Sequence, residues 1–375
     1  MQILLIILIL LTNVVSADDT VDPELNFIDP TPENNDYQTE RYVNINISIE
    51  EENLDDLNYN WDGVNYTLYD DSLILMYNFN NIASLGESSS HVFDISDNEN
   101  NGTVYGGASP TSDGKYDGAY SFDGLNDYIT IGTIDFGQAF TVCTWIKPTA
   151  WGTSADSYIH NIFSNENGAG STFAFRLGSK GQPSLRQRLA VAIYENDGPN
   201  DYESTKDLSL NTWQHVAATW DGNTIKFYVN GAFTNQQSAI HTMDSGTNTF
   251  MVAHSPEYNR PYAGAIDDLL VYNRVLNDTE IFQIYASNLK KHNETQWYLQ
   301  VNQSKDATSG LEDGFYTYQA FATDESSNDA STEERIIYIN VDPAPPVPEA
   351  STFILFGFGM LMTLGFIFYK RRRNH

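Results

Sequence analysis

Apolar and polar residues alternate along most of the chain, apart from its two ends. Val43, Ile45, Ile47 and Ile49 are separated by polar residues, so a strand here would have one apolar and one polar face. Many short runs of this kind, divided by Gly, Asn and Asp turns, predict an all-β sandwich or barrel. The further runs lie at 73–79, 128–131, 140–146, 173–177, 189–194, 212–220, 224–229 and 267–272.

One segment instead has the spacing of an amphipathic helix. Residues 278–288 place their apolar side chains on one face, with Glu280 in the first turn. Asn277 or Asp278 would cap this helix by accepting hydrogen bonds from its free amide groups. The sequence thus predicts a short helix in a chain that otherwise forms strands.

The amino-terminal end is apolar and has no polar stripe. Residues 3–11 form an apolar run, followed by Val15-Ser16-Ala17, whose small residues suit signal-peptide cleavage. The sequence therefore predicts a signal peptide at 1–17 and an exported mature chain. An uncleaved amino-terminal anchor is the alternative.

The carboxyl-terminal end predicts a membrane anchor. Residues 353–369 are apolar and just long enough to span a bilayer, and a basic cluster follows them, so 370–375 would be a cytoplasmic tail. The Pro-rich segment 343–352 predicts an extended stalk. Together with the apolar helix and the basic cluster, Val347-Pro348-Glu349-Ala350 resembles the PEP-CTERM type of prokaryotic sorting signal. Ala350 replaces the usual proline, so the sequence leaves open whether a sortase-like enzyme removes the helix.

The charge of the chain excludes one class of partner. The sequence has 50 acidic and 19 basic residues and a formal net charge of -31. Because nucleic acid binds basic surfaces, we expect no nucleic-acid partner. Cys143 is the single cysteine, so no disulfide can form within the chain and its core must hold the fold.

The middle of the chain carries a family resemblance. Residues 213–222 read WQHVAATWDG, and residues 264–276 read GAIDDLLVYNRVL. Together with blocks at 94–102 and 120–129, they resemble laminin-G-like, concanavalin A-like domains. The resemblance implies an antiparallel jelly-roll β-sandwich of two curved sheets over residues 71–290.

The segments on either side of this region each supply only part of a fold. Residues 24–70 contain three candidate strands, too few to close a sandwich, and residues 291–342 contain three more. Asp313-Gly314-Phe315-Tyr316 resembles the tyrosine corner of immunoglobulin-like domains. We therefore expect a smaller immunoglobulin-like β-sandwich into which the jelly roll is inserted. Two unrelated flanking segments are the alternative.

The family resemblance also implies a place for a metal ion, because members often hold a structural calcium. Asp267 occupies the acidic position of the strand motif, Asp94 falls in the loop block, and Asn80 stands where a carboxylate is common. Calcium prefers carboxylate and carbonyl oxygens in flexible loops. We therefore expect Asn80, Asp94 and Asp267 to bind a structural Ca²⁺, with an ion-free acidic turn as the alternative.

A sugar-binding surface needs aromatic rings beside amide or guanidinium donors. Long connections within the predicted jelly roll supply such groups, and loop packing is the alternative interpretation for each. The candidate ligand-binding residues are Trp151, Tyr158, Arg176, Arg188 and Tyr258.

No arrangement of residues points to catalysis. Enzymes of this fold need two carboxylates on one strand facing a cleft, and no predicted strand offers a regularly spaced pair. His215 lies in a predicted strand without a nucleophile in view, so a packed histidine is the better interpretation. We expect a non-catalytic, membrane-anchored cell-surface protein that recognises a glycan or a partner protein. A structural envelope spacer is the alternative, followed by a glycan-cleaving enzyme.

Overall fold

The computed structural model describes residues 19–152, 158–166, 172–195, 198–241 and 248–341. The predicted signal peptide, stalk, membrane helix and cytoplasmic tail lie outside these residues. Within the described ranges, no helix is long and apolar enough to cross a membrane.

Strands dominate the described residues, so the predicted all-β class is confirmed. Two short 3-10 turns, Ala83–Leu85 and Pro183–Leu185, and helix α1 interrupt them. In chain order the elements are β1 (Glu24–Ile28), β2 (Asp36–Gln38), β3 (Val43–Glu50), β4 (Leu54–Trp61), β5 (Val64–Tyr69), β6 (Leu73–Tyr77), β7 (His91–Val92), β8 (Gly102–Tyr105), β9 (Ser109–Tyr116), β10 (Gly118–Asp123), β11 (Tyr128–Thr130), β12 (Phe140–Pro148), β13 (His160–Ser164), β14 (Thr172–Leu177), β15 (Arg188–Glu195), β16 (Gly198–Asp207), β17 (Gln214–Trp220), β18 (Thr224–Val229), β19 (Ala232–Ser238), β20 (Met251–Val252), β21 (Ala263–Tyr272), α1 (Asp278–Ala286), β22 (Ser287–Lys291), β23 (Gln296–Gln303), β24 (Gly314–Asp324), β25 (Asp329–Ser331) and β26 (Arg335–Ile339).

Strands β1–β5 and β22–β26 form one sandwich, which we call the host. Its first sheet has the order β1-β3-β23-β22, and its second has the order β2-β26-β24-β4-β5 with β25 paired to β24. β23 runs antiparallel to β3 and pairs Leu299 with Ile47, while β24 runs antiparallel to β4 and pairs Ala320 with Tyr59. Strands from the two outer parts of the chain therefore share both host sheets.

Period-two patterning explains the host core. Val43, Ile45, Ile47 and Ile49 are at most 1% exposed, whereas the residues between them are exposed or half-buried. The predicted alternation is thus confirmed for β3. The buried set belongs to one apolar cluster with residues of the second host sheet, including Leu57.

Strands β6–β21 and helix α1, which we call the guest, form a larger sandwich. The first guest sheet has the order β19-β18-β17-β12-β21-β10-β9, with β6 paired to β21. The second guest sheet has the order β16-β15-β14-β13-β20-β11-β8-β7. Between the two sheets lies an apolar core that includes the packed rings of Phe136, Phe140, Phe163, Phe173 and Trp220.

The boundary between guest and host differs from the predicted one. The sequence placed residues up to 290 in the jelly roll, but β22 pairs with β23 in the first host sheet. Helix α1 ends at Ala286 because Ser287 adopts an extended conformation, with φ -117° and ψ 155°. The guest therefore ends where the helix ends.

Local sequence explains the helix. The Asn277 side chain accepts hydrogen bonds from the backbone N–H groups of Thr279, at 2.9 Å, and Glu280, at 3.0 Å. In return, the Glu280 carboxylate accepts a bond of 2.7 Å from the Asn277 N–H. This capping box satisfies free amide groups of the first turn, so the predicted helix and its Asn277 cap are confirmed.

Candidate functional site

In the part of the guest that the structure describes, one of the two outer faces is a candidate for ligand binding. On the first guest sheet, Cys143, Ala217 and Leu270 point away from the guest core and are buried in the apolar cluster of the host. That face is an internal contact between the two sandwiches. The outer face of the second guest sheet is therefore the candidate surface.

Strands β8, β11 and β20 form the accessible part of this surface. Tyr105 and Tyr128 are cross-strand partners whose rings stack at 5.1 Å with an interplanar angle of 20°. The Tyr105 residue is 46% exposed, and the ring of His254 lies 5.9 Å from that of Tyr128. We call Tyr105, Tyr128 and His254 the tyrosine platform.

Strands β13–β16 bury a group of charges on the same face. Arg176 donates to Glu166 at 2.8 Å and to Asp201 at 2.5 Å, and Arg260 donates to Glu166 at 2.5 Å. The side chains of Arg176 and Glu166 are 0% exposed. Asn161 donates a further bond of 2.7 Å to Glu166. We call these five residues the arginine network, in which every buried charge has an opposite partner.

Small side chains make room for the arginine. On β15, Ala190 pairs with Arg176 of β14, and Ala192 pairs with Ala174. The methyl groups of these alanines therefore lie beside the aliphatic part of the Arg176 side chain. All three alanines are buried. Larger residues here would compete with the arginine for the same volume.

One loop connects the arginine network to the tyrosine platform. Ser255 donates through its hydroxyl to the Glu166 carbonyl at 3.0 Å and through its N–H to His254 Nδ1 at 2.8 Å. In the same loop, the Arg260 guanidinium lies 4.4 Å from the ring centre of Tyr258. The network therefore fixes the loop that carries the platform histidine.

The structure buries Arg176, one of the predicted ligand-binding residues. Its side chain is fully buried and its guanidinium binds Glu166 and Asp201, so it holds the network together. Tyr258 is half-buried, and its ring contacts the Arg260 guanidinium of the same network. Arg188 reaches the same face, where it pairs with Asp207 at 2.7 Å.

The other two predicted ligand-binding residues lie elsewhere. Trp151 is half-buried and packs against the guest core, which agrees with the packing alternative. Tyr158 is half-buried, and its backbone carbonyl packs against Gly178. A side chain at Gly178 would clash there, because its Cβ would be 2.0 Å from the Tyr158 oxygen, and the φ of +79° also favours glycine. Neither residue contacts the platform in the described part of the chain.

Sequence reasoning missed the tyrosine platform. Tyr128 was part of a predicted strand, and Tyr105 follows the family block at 94–102. The pairing of β8 with β11 brings the two rings together, and this pairing is a tertiary feature. A signal was present in the alternation of β11, which places Tyr128 and Thr130 on the face opposite the buried Ile129.

Of the predicted calcium residues, Asp94 is saturated by hydrogen bonds. One carboxylate oxygen accepts from the N–H groups of Met76, at 2.8 Å, and Ser96, at 3.1 Å. The other accepts from the Ser96 hydroxyl and the Asn100 N–H, both at 2.9 Å. Four donors occupy the lone pairs of a carboxylate, so this arrangement leaves no vacant position for a cation at Asp94.

Asn80 and Asp267 converge on the turn between β9 and β10. Asn80 accepts a bond of 2.9 Å from the Gly118 N–H, and Asp267 Oδ2 accepts from the N–H groups of Lys115 and Tyr116 at 2.8 and 3.0 Å. The second oxygen of Asp267 is buried without a hydrogen-bond partner in the described residues. That second oxygen of Asp267 suits a cation. Asp94, in contrast, belongs to a separate set of hydrogen bonds. Calcium binding stays a prediction.

Beside Asp267, the structure adds a buried carboxylate that the sequence analysis did not single out. Asp268 accepts bonds of 2.8 Å from the side-chain amides of Asn78 and Asn288. A register shift between Cys143 and Trp145 on β12 puts two residues of β21 opposite one. Such a bulge is not visible in an alternating pattern.

These buried acids predict an unusual dependence of stability on pH. Burial raises the pKa of Asp94 to about 6 and that of Asp268 to about 7. A carboxyl group with a raised pKa binds its proton more tightly in the folded state, so its contribution to stability is lost as pH rises through the folded pKa. With a calcium chelator present, we expect the free energy of unfolding in urea to be about 1 kcal/mol or more higher at pH 5 than at pH 7.5. Asp268→Asn should reduce this difference, and higher stability at pH 7.5 would contradict the assignment.

Comparison with known protein families gives one match, which lies in the guest. Residues 122–282 match the family model described as the concanavalin A-like lectin/glucanases superfamily. The match covers less than half of the chain and lies wholly within the guest. The match supports the resemblance to concanavalin A-like domains that the sequence motifs carry. No curated protein matches the chain significantly.

Solved structures that resemble part of this chain include domain 4 of AbnA, an extracellular arabinanase from Geobacillus stearothermophilus, in complex with arabinotriose. It is 18% identical, covers 56% of this chain and 96% of its own, and has a TM-score of 0.43. The binding domain of Paraclostridial Mosquitocidal Protein 1 is 18% identical, with coverages of 59% and 54% and a TM-score of 0.45. A Ruminococcus gnavus sialidase domain bound to sialyllactose is 16% identical, with coverages of 38% and 80% and a TM-score of 0.31. Likeness at this level does not indicate which ligand this chain binds.

Proposed function

We propose that this chain is an exported, membrane-anchored, non-catalytic surface protein whose guest domain binds glycans through the tyrosine platform. The observation that carries the proposal is the stacked pair of Tyr105 and Tyr128 on the outer face that the host does not cover. Stacked rings present a flat apolar surface with a polar rim, which suits the C–H face and hydroxyl groups of a sugar ring. His254 adds a polar group beside the rings.

Charge restricts the class of glycan. Glu203 lies on the same sheet face as the platform, and the whole chain carries a net charge of -31. Acidic groups repel sialic and uronic acids. The expected ligands are therefore neutral or amino sugars.

The arginine network argues against a glycan-cleaving role. Two carboxylates of this face are Glu166 and Asp201, and Arg176 binds both. The remaining oxygens accept bonds from Asn161, at 2.7 Å, and from the Lys180 N–H, at 3.2 Å. A glycosidase needs one free carboxyl group as acid and another as base or nucleophile, and neither residue is free for this work.

We further propose that the host is an immunoglobulin-like domain that presents the guest to the outside. Tyr316 donates through its hydroxyl to the Glu312 carbonyl at 3.1 Å, which is the bond expected of a tyrosine corner. Export and anchoring rest on the apolar segments at 3–11 and 353–369 and on the basic residues that follow the second.

Replacing a platform ring tests the glycan proposal. We expect Tyr105→Ala to weaken glycan binding about tenfold, because it removes one stacking surface worth on the order of 1 kcal/mol. The measurement is a glycan array followed by calorimetry on the glycan that binds. Phe233→Ala is a matched control, since Phe233 is 47% exposed on β19 of the other guest sheet. Equal binding by both variants would show that the platform is not the binding site, and no binding by the unmodified protein would favour a structural spacer.

Calcium dependence tests the proposed metal. We expect added Ca²⁺ to raise the melting temperature and a chelator to lower it, because a ligand that binds only the folded state stabilises it. At free calcium about ten times the dissociation constant, this linkage gives about 1.4 kcal/mol. Asp267→Asn should abolish the response. Identical melting curves with and without chelator would rule out the metal.

A further inference from the structure

A cleft of about 250 Å³ lies where the outer face of the first host sheet meets the guest. Host strands β3 and β23 line it with the amide side chains of Asn44, Asn46, Gln300 and Asn302, and the guest contributes Tyr116. None of its lining residues is charged. We call this site the amide cleft.

The register of the two host strands brings the amides together. β3 and β23 run antiparallel and pair Asn44 with Asn302 and Asn46 with Gln300. Their neighbours along each strand, such as Ile45 and Val301, face the host core. The four amides therefore form two adjacent cross-strand pairs on the outer face.

Much of the hydrogen-bonding capacity of these amides is available to a ligand. Asn302 donates to Asn44 Oδ1 at 2.8 Å, and Asn46 donates to the Asp29 carbonyl at 3.2 Å. The Gln300 amide makes no hydrogen bond within the ranges that the structure describes. Each amide has two donor hydrogens and one acceptor oxygen, so donor and acceptor positions that these bonds do not use remain on the four side chains.

The guest supplies a rigid wall. The ring of Tyr116 meets that of Trp145 edge to face at 6.0 Å, and its N–H donates to Asp267 at 3.0 Å. These contacts hold the tyrosine in place before any ligand arrives. A fixed wall lowers the entropy cost of binding.

We propose that the amide cleft binds a neutral carbohydrate. Neighbouring hydroxyl groups of a sugar each donate and accept a hydrogen bond, and paired amides offer the complementary set. A charged ligand would have no counter-ion among the lining residues. The volume is below that of typical drug-sized pockets, so one or two sugar rings fit. The cleft lies away from the tyrosine platform, and the proposal does not depend on it.

Two sources could supply this carbohydrate. Asn46 and Asn302 each begin an Asn-X-Ser triplet, with Ser48 and Ser304 as the third residues. Where the producing cell attaches glycans to such triplets, the chain's own glycan could fill the cleft. Otherwise the carbohydrate is a free saccharide.

Saturation-transfer NMR on the full chain tests the proposal. The chain is produced without N-glycosylation and carries Tyr105→Ala, so transfer through the tyrosine platform is removed. Glucose, galactose, mannose and N-acetylglucosamine serve as separate probes. We expect transfer to one or more of them, with an affinity that falls about tenfold when Gln300→Ala is added, since one amide makes about two hydrogen bonds.

Gln236→Ala is the matched control, because Gln236 is an exposed glutamine on β19 at the far edge of the first guest sheet. It should leave transfer unchanged, and both variants should keep the parent melting temperature. Absence of transfer to all four sugars, or equal transfer with and without Gln300, would overturn the proposal. If transfer is seen with the unglycosylated chain but not with the N-glycosylated chain, the attached glycan is the natural occupant of the cleft.

Discussion

Trp297→Ala is expected to lower the free energy of unfolding by about 3–5 kcal/mol, the usual cost of truncating a buried aromatic side chain to alanine. Trp297 lies on β23, in the second outer part of the chain, and is 1% exposed. Its ring meets Tyr69 edge to face at 5.4 Å, and its indole N–H donates to the Glu51 carbonyl at 2.9 Å. Both partners belong to the first outer part, so the substitution removes a contact that joins the two halves of the host.

Urea denaturation of the full chain measures this loss. Trp213→Ala is the control, because Trp213 is half-buried and lies just before β17 in the guest. We expect it to cost about 1 kcal/mol. Similar losses for the two tryptophans would show that the outer segments do not form a jointly packed sandwich.

Arg176→Met is expected to have the second-largest effect, a loss of about 3 kcal/mol or more in the free energy of unfolding. Methionine occupies a similar volume, so the change mainly removes the positive charge. Glu166 keeps Arg260 as a partner, but Asp201 loses its bond to the guanidinium. Removing one partner of a buried ion pair costs about 3–5 kcal/mol, because the other charge stays away from water without compensation.

Arg188→Met is the matched control for Arg176→Met. Arg188 lies on the neighbouring strand β15, its side chain is 30% exposed, and its partner Asp207 is 53% exposed. Exposed ion pairs contribute about 0–1 kcal/mol. Both variants are compared by urea denaturation. If the two losses are equal, the arginine network does not stabilise the face as argued.

The elements that depend on neighbouring residues could be predicted from the sequence. The capping box of α1 joins Asn277 to Glu280, three residues away, and was visible as a cap followed by an acidic first turn. The alternation along β3 gave the buried set from Val43 to Ile49. Both features depend on backbone geometry within a few residues, which a local pattern records.

The candidate site depended on long-range pairing, and most of it was missed. Arg176 was predicted to bind a ligand, but its burial follows from Glu166, Asp201 and Arg260, which other strands and loops bring to it. The tyrosine platform requires β8 to lie beside β11. An arginine that binds a sugar and an arginine that pairs with buried carboxylates have the same neighbours in the sequence, so the sequence pattern does not distinguish them.

By itself, the sequence determined the all-β class, the resemblance of the middle region to concanavalin A-like domains and the position of the short helix. Those features follow from strand periodicity, family motifs and local capping. Tertiary structure alone decided that β4 pairs with β24 and that one face of the guest is covered by the host. It also decided that Asp267 and Asp268 lie together at a bulge. The physical reason is that hydrogen-bond registers and buried charges depend on residues far apart in the chain, and their pairing is set by the packing of the whole molecule.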